Sequence, residues 1–117
     1  MSRKILVVDD EASVRRMLSR FLTGRGYHVL EASDGLEALE SYRGERPHLV
    51  LLDVEMPRQD GIWALREIKA LDPDAFVVMV TAGLREEAWQ EALDLGAADY
   101  ILKPITAEKL ESLLGGM

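Results

Sequence analysis

Four short, unbroken apolar runs, each stopped by polar residues, constrain this chain more than any other feature. They are Ile5-Leu6-Val7-Val8 before Asp9-Asp10, Leu49-Val50-Leu51-Leu52 before Asp53, Phe76-Val77-Val78-Met79-Val80 before Thr81, and Tyr100-Ile101-Leu102 before Lys103-Pro104. Short apolar runs bounded by turn signals such as Glu55-Met56-Pro57 read as strands buried on both faces. Strands of that kind belong to parallel sheets, because the crossover helices cover both sides. The polar residue that stops each run therefore stands at the carboxyl rim of a sheet, neither in the core nor free in solvent.

The segments between the runs have helical spacing. Val14, Met17, Leu18, Phe21 and Leu22 form one stripe, and Gly24 and Gly26 close it. Residues 27–32 alternate and are less uniformly apolar, as an edge strand would be. Ser33-Asp34 opens a short helix carrying Leu36, Leu39 and Tyr42. Asp60-Gly61 opens another with Ile62, Leu65 and Ile68 inward, ending near Asp72-Pro73. Residues 85–95 are helical by pattern and stop at Gly96; residues 107–114 form the last helix, ended by Gly115-Gly116. Strand and helix thus alternate five times without repeat, low-complexity stretch or linker. The expectation is one α/β domain over residues 1–117: a five-stranded parallel sheet of flavodoxin-like order 2-1-3-4-5 with helices on both faces.

In that order the first and third strands are neighbours at the topological switch point, where ligands bind beyond the carboxyl ends. Asp9, Asp10 and Asp53 should converge there, with Thr81 and Lys103 on the same rim. Three unpaired carboxylates raise one another's pKa values, and a hard divalent cation such as Mg²⁺ relieves the repulsion. An ammonium and a hydroxyl opposite could bind the remaining oxygens of a phosphoryl group, with Asp53 as an in-line nucleophile yielding an aspartyl phosphate. No G-x-x-x-x-G-K-[ST] loop is present to hold a nucleotide, so the donor should arrive on another protein or a small molecule. Taken singly, each residue has a plainer reading. Asp9 or Asp10 could cap the following helix, Thr81 could be a β-branched strand residue, Lys103 a solvated charge and Tyr100 a packing residue.

The net charge of −7 argues against direct nucleic-acid binding, which relies on clustered Lys and Arg. Cysteine is absent, so disulfides and thiolate metal sites are excluded. No run reaches the roughly 18 apolar residues of a membrane helix, and Met1-Ser2-Arg3-Lys4 leads into a strand rather than a signal peptide. The expectation is a cytoplasmic protein. The 117 residues end just after the last helix, which leaves open a stand-alone domain or one cut from a longer protein.

The motifs Val7-Val8-Asp9-Asp10-Glu11, Leu52-Asp53-Val54-Glu55-Met56-Pro57 with Asp60-Gly61, Thr81-Ala82, and Asp99-Tyr100 through Lys103-Pro104 occur in order on alternating elements. Together they resemble the receiver domain of two-component response regulators, over essentially the whole chain. The resemblance implies that Asp53 is the phosphoacceptor. It implies that Asp10, Asp53 and the Glu55 backbone carbonyl ligate Mg²⁺, with Asp9 acting mostly through water. Lys103 would bind phosphoryl oxygen, Thr81 would swing toward it, Tyr100 would move inward, and small Ala82 would leave room for the donor. The Lys103-Pro104 peptide would be cis. The implied partners are a histidine kinase or phosphotransfer protein, and a second copy or an effector domain at the face of the fourth helix, fifth strand and fifth helix. The implied function is a phosphorylation-activated switch that turns over no metabolite. The rival readings are a Mg²⁺-dependent phosphohydrolase with an Asp nucleophile and a receiver-like module that works unphosphorylated.

Four further residues carry expectations. Acidic Glu55 puts extra negative charge beside Asp53, and Gly83 leaves no side chain to orient attacking water. Trp89 shares a stripe with Ala92 and Leu93 and should pack inward. Trp63 falls in phase with Arg66, Glu67 and Ala70, away from Ile62, Leu65 and Ile68, which places it on a polar face either as an isolated exposed aromatic or as a partner contact.

Overall fold

The computed structural model describes residues 3–56, 60–83 and 86–116. Pro57, Arg85 and the terminal residues Met1, Ser2 and Met117, all used above, lie outside them. The chain alternates β1 (Lys4–Val8), α1 (Ala12–Gly24), β2 (His28–Ala32), α2 (Gly35–Glu45), β3 (Leu49–Asp53), α3 (Gly61–Leu71), β4 (Val77–Thr81), α4 (Glu86–Asp94), β5 (Asp99–Leu102) and α5 (Ala107–Gly115). All strand pairs are parallel, in the order β2-β1-β3-β4-β5. This is the flavodoxin-like sheet expected from the apolar runs.

Strand side chains alternate between the two faces, and each face has its own core. Leu6, Val8, Val50, Leu52, Val77 and Met79 lie with Ala38, Leu39, Ala64, Leu65 and Ile68 under α2 and α3. Ile5, Val7, Leu49, Leu51, Val78 and Val80 lie with Leu18, Leu22 and Leu110 under α1 and α5. β3 and β4 are buried throughout, whereas β2 mixes exposed and half-buried positions as the edge. Truncating one of these fully buried leucines to Ala would cost about 2–5 kcal/mol.

One junction fixes the loop beside Asp53. The Asp60 carboxylate caps α3 by accepting from the Trp63 N–H at 2.9 Å, and the Gly61 N–H donates to the Val54 carbonyl at 3.1 Å. A Cβ on Gly61 would overlap the Asp53 carbonyl oxygen. The pair Asp60-Gly61 is thus demanded by the close approach of α3 to the end of β3.

Several expectations change. Phe76 precedes β4 and is exposed, and Leu36 and Leu93 point outward from their helices. Trp63 is half-buried and packs against the α2–α3 core rather than standing on a free polar face. The reason is that α3 lies on the sheet and, as a second contact side, against the neighbouring helices α2 and α4. A stripe count that looks for one inward side misses the second.

Candidate functional site

β1 and β3 run side by side, with Val8 opposite Leu52, so the residues that follow them share one rim. Asp9, Asp10 and Asp53 each offer a carboxylate oxygen, and these oxygens lie within 4.8 Å of one another. Asp9 and Asp53 are buried and Asp10 is exposed. Lys103, at the end of β5, extends its ammonium to Asp9 Oδ2 at 3.1 Å and to Asp53 Oδ2 at 3.3 Å. The Lys103-Pro104 peptide is cis.

One ammonium does not neutralise three acids. Burial, and then the neighbouring Asp9 charge, push the Asp53 carboxyl up to about 6, against the opposing pull of Lys103 and the Glu55 N–H. Burial pushes Lys103 down, but its hydrogen bond to Asp9 and the charges of both acids outweigh this and leave it above the usual lysine value. The rim therefore holds excess negative charge against a neutral core. A compact set of carboxylate oxygens with this imbalance suits a hard divalent cation, so the residues present fit Mg²⁺.

Asp9 is held at every polar atom. Its N–H donates to the Ala32 carbonyl at 3.1 Å, Oδ1 accepts from the Glu11 N–H at 2.9 Å, and Oδ2 meets Lys103. Its carbonyl accepts from Arg15 Nη1 at 2.7 Å. Asp53 Oδ1 accepts from the Glu55 N–H at 3.2 Å. Neither Asp9 nor Asp10 caps α1; the N-cap is Glu11, without a side-chain cap bond. Asp9 instead closes a turn onto the backbone of that cap residue.

Thr81 ends β4 one position past Val80, the register partner of Asp53. Its hydroxyl does not meet the acids. It donates to the Gly83 carbonyl at 2.7 Å and accepts from the Gly83 N–H at 3.2 Å. Ala82 and Glu55 are exposed beside the site. Tyr100 is half-buried, and its ring meets Trp89 edge-on at 4.7 Å and 66°. A cavity of about 60 Å³ lies beside them, lined in part by Val54, Glu55, Met79, Thr81, Trp89 and Ala92. Trp89 packs as its stripe predicts.

Arg15 was not legible as a site residue. Its one signal is a cation close to a helix N-terminus, where the helix dipole disfavours positive charge.

A family model described as the response regulator receiver domain matches residues 5–114. The chain belongs to the response regulator receiver family. It is 40% identical over 111 residues to the chemotaxis protein CheY of Bacillus subtilis, covering 94% of this chain and 92% of that protein. It is 47% identical over 110 residues to the probable transcriptional regulator ycf27 of Porphyra purpurea, covering 93% of this chain but 44% of that protein. The receiver thus spans nearly all of one relative and under half of the other. Among solved structures, a chain of the CheX–CheY–BeF3–Mg²⁺ complex from Borrelia burgdorferi superposes with a TM-score of 0.91 at 31% identity, covering 97% of this chain and 87% of that one. Among the described residues, no helix of this receiver is long and apolar enough to cross a membrane.

Proposed function

We propose that this receiver is a phosphorylation-operated switch whose phosphoacceptor is Asp53. The observation that carries the reading is the buried Asp53 carboxyl, set between the Asp9–Asp10 pair and the Lys103 ammonium. An Asp53 oxygen attacks the phosphorus of a phosphohistidine on a partner kinase or phosphotransfer protein. The new O–P bond forms as the P–N bond breaks, and the imidazole leaves with the electron pair. Lys103 holds a phosphoryl oxygen in place of its bond to Asp53. Asp10, Asp53 and the Glu55 carbonyl would hold Mg²⁺, with Asp9, already committed to Lys103 and Glu11, acting mostly through water. Bound there, Mg²⁺ supplies neutralising charge for the acids and the transferring group.

Thr81 links this chemistry to shape. To reach a phosphoryl oxygen its hydroxyl must leave the Gly83 carbonyl, which frees the segment after β4. Tyr100, packed on Trp89, moves inward with that rearrangement, next to the cavity that Thr81 and Trp89 line. The face of α4, β5 and α5, where Leu93 and Leu102 are exposed, then meets a second copy or an effector domain. Exposed Ala82 leaves the donor an open approach. The domain works in the cytoplasm, binds no nucleic acid itself and turns over no metabolite. Membership of the receiver family favours this switch over a phosphohydrolase.

Incubation with Mg²⁺ and acetyl phosphate, followed by intact-mass spectrometry, tests the assignment. One phosphoryl group should add to the wild type and none to Asp53→Asn. Labelling that survives Asp53→Asn, or that is unchanged by a chelator, would overturn it.

A further inference from the structure

The Arg15 guanidinium joins three elements at the edge of the acid cluster. From the start of α1 its Nη1 donates to the Asp9 carbonyl at 2.7 Å, and its Nε donates to Glu31 Oε1 on β2 at 3.3 Å. The Arg15 side chain is 19% exposed and that of Glu31 46%. An ion pair this exposed contributes little to stability. Its geometric effect is larger, because the planar guanidinium fixes both donors in one fork and Glu31 sets its direction.

That fork pins the peptide joining Asp9 to Asp10. The Asp10 side chain is exposed and makes no hydrogen bond or ion pair with any other described residue. With no side-chain partner to hold it, the carboxylate can reach only the positions that its backbone and rotamers allow. Asp9, by contrast, has its carboxylate and N–H fixed by Lys103, Glu11 and Ala32. Releasing the Asp9 carbonyl therefore leaves the Asp9 side chain and the Glu11 N–H held but lets the Asp9–Asp10 peptide between them turn, which changes the direction in which Asp10 projects its side chain. Ligand sets work only when held to within about 0.5 Å.

We propose that Arg15, aimed by Glu31, is a positioning residue that sets Asp10 for cation binding. The edge strand β2, which places no ligand at the site, thereby contributes to its geometry through Glu31. This rests on the Mg²⁺-binding role proposed above for the three aspartates.

Two effects of Arg15 oppose each other, which makes the test decisive. As a nearby positive charge Arg15 weakens cation binding, so removing it would tighten Mg²⁺. As a positioning residue it strengthens binding, so removing it would loosen Mg²⁺. Mg²⁺ alone is titrated calorimetrically into the wild type, Arg15→Met, Arg15→Lys, Glu31→Gln, Glu31→Ala and Asp10→Asn. Melting of each in chelator gives its stability without metal.

The expected result is binding by the wild type, its loss in Asp10→Asn, and dissociation constants roughly tenfold weaker in both Arg15→Met and Arg15→Lys. Glu31→Gln keeps an acceptor for Nε and should bind nearly as the wild type does, while Glu31→Ala binds more weakly. Tighter binding by Arg15→Met, or wild-type affinity in Arg15→Lys, would overturn the inference while leaving the Mg²⁺ site intact. So would Arg15 variants that melt lower but bind Mg²⁺ unchanged, since Arg15 would then be only a structural brace. A wild type that binds no Mg²⁺ overturns the reading it rests on as well.

Discussion

Asp53 and Asp72 sit at opposite ends of the same sheet, and their surroundings push them in opposite directions. Asp53, at the carboxyl rim, is buried beside another acid and rises to about 6. Asp72, between α3 and β4 at the amino end, accepts the Tyr42 hydroxyl at 2.7 Å and lies 3.6 Å from Arg46. The Tyr42 hydroxyl and the Asp74 N–H hold its carboxyl below the usual range. Tyr42 itself is pushed up by burial and by that same bond. Two cations at this end also have partners. Lys69 donates to the Pro73 and Ala75 carbonyls at 2.6 and 2.9 Å, and Lys4 meets Glu45 at 3.0 Å. At one end each of these groups has its partner, whereas the other keeps an unbalanced charge. Such a departure from local satisfaction marks a functional rim and costs stability there.

The largest expected effect comes from making that imbalance worse. Lys103→Met leaves Asp9 and Asp53 buried without their cation and should lower stability by about 3 kcal/mol at pH 7.5. The loss should shrink at pH 5, where Asp53 takes up a proton. Thermal melts that show equal losses at both pH values would assign the effect to packing instead.

Asp53→Asn should do the reverse and stabilise the protein without divalent cations. The folded carboxyl binds its proton more tightly than the unfolded one, so the cost of ionising it is absent below the ordinary value of 3.8 and complete above about 6. That rise, in which the attraction of Lys103 is already included, bounds the gain at about 3 kcal/mol, and solvent screening reduces it to about 1–2 kcal/mol at pH 7.5. Melts across pH should show the gain fading toward pH 4, and added Mg²⁺ should narrow it by stabilising the wild type. A destabilised Asp53→Asn at pH 7.5 would show that the ionised Asp53 carboxylate carries no net cost in the folded protein.

At the amino end Tyr42→Phe should cost about 1 kcal/mol, equally with and without Mg²⁺. Mg²⁺-dependent loss there would mean that the two ends are coupled. The smallest effect on stability is expected at Glu55, which is exposed beside the rim. Glu55→Asn should melt as the wild type does, yet react severalfold faster with acetyl phosphate and lose its phosphate at a different rate. Identical labelling and decay kinetics would remove any electrostatic role for Glu55.

The fold was readable because a parallel sheet buries both faces of its strands, so Leu49 to Leu52 form an unbroken apolar run that Asp53 conspicuously ends. The strand order then brings Asp9, Asp10 and Lys103 to that residue without side-chain detail. What stayed hidden depends on where long or rotatable side chains reach. The Arg15 guanidinium crosses to Asp9 and Glu31, the Tyr42 hydroxyl finds Asp72 thirty positions on, and the Thr81 hydroxyl turns to Gly83. Trp63 is a related case, since its burial is created by elements packed against α3 and not by its own helix. Contacts between elements of this kind leave no period in the sequence.

The rim holds unrelieved charge at Asp53, and we propose that a cation and then a phosphoryl group exploit it. Titration of the Asp53 carboxyl carbon by NMR, with and without Mg²⁺, measures this directly. The expected midpoint is near 6 in the metal-free protein, falling well below that when Mg²⁺ is present. A metal-free midpoint at the ordinary aspartate value, unmoved by Mg²⁺, would contradict it.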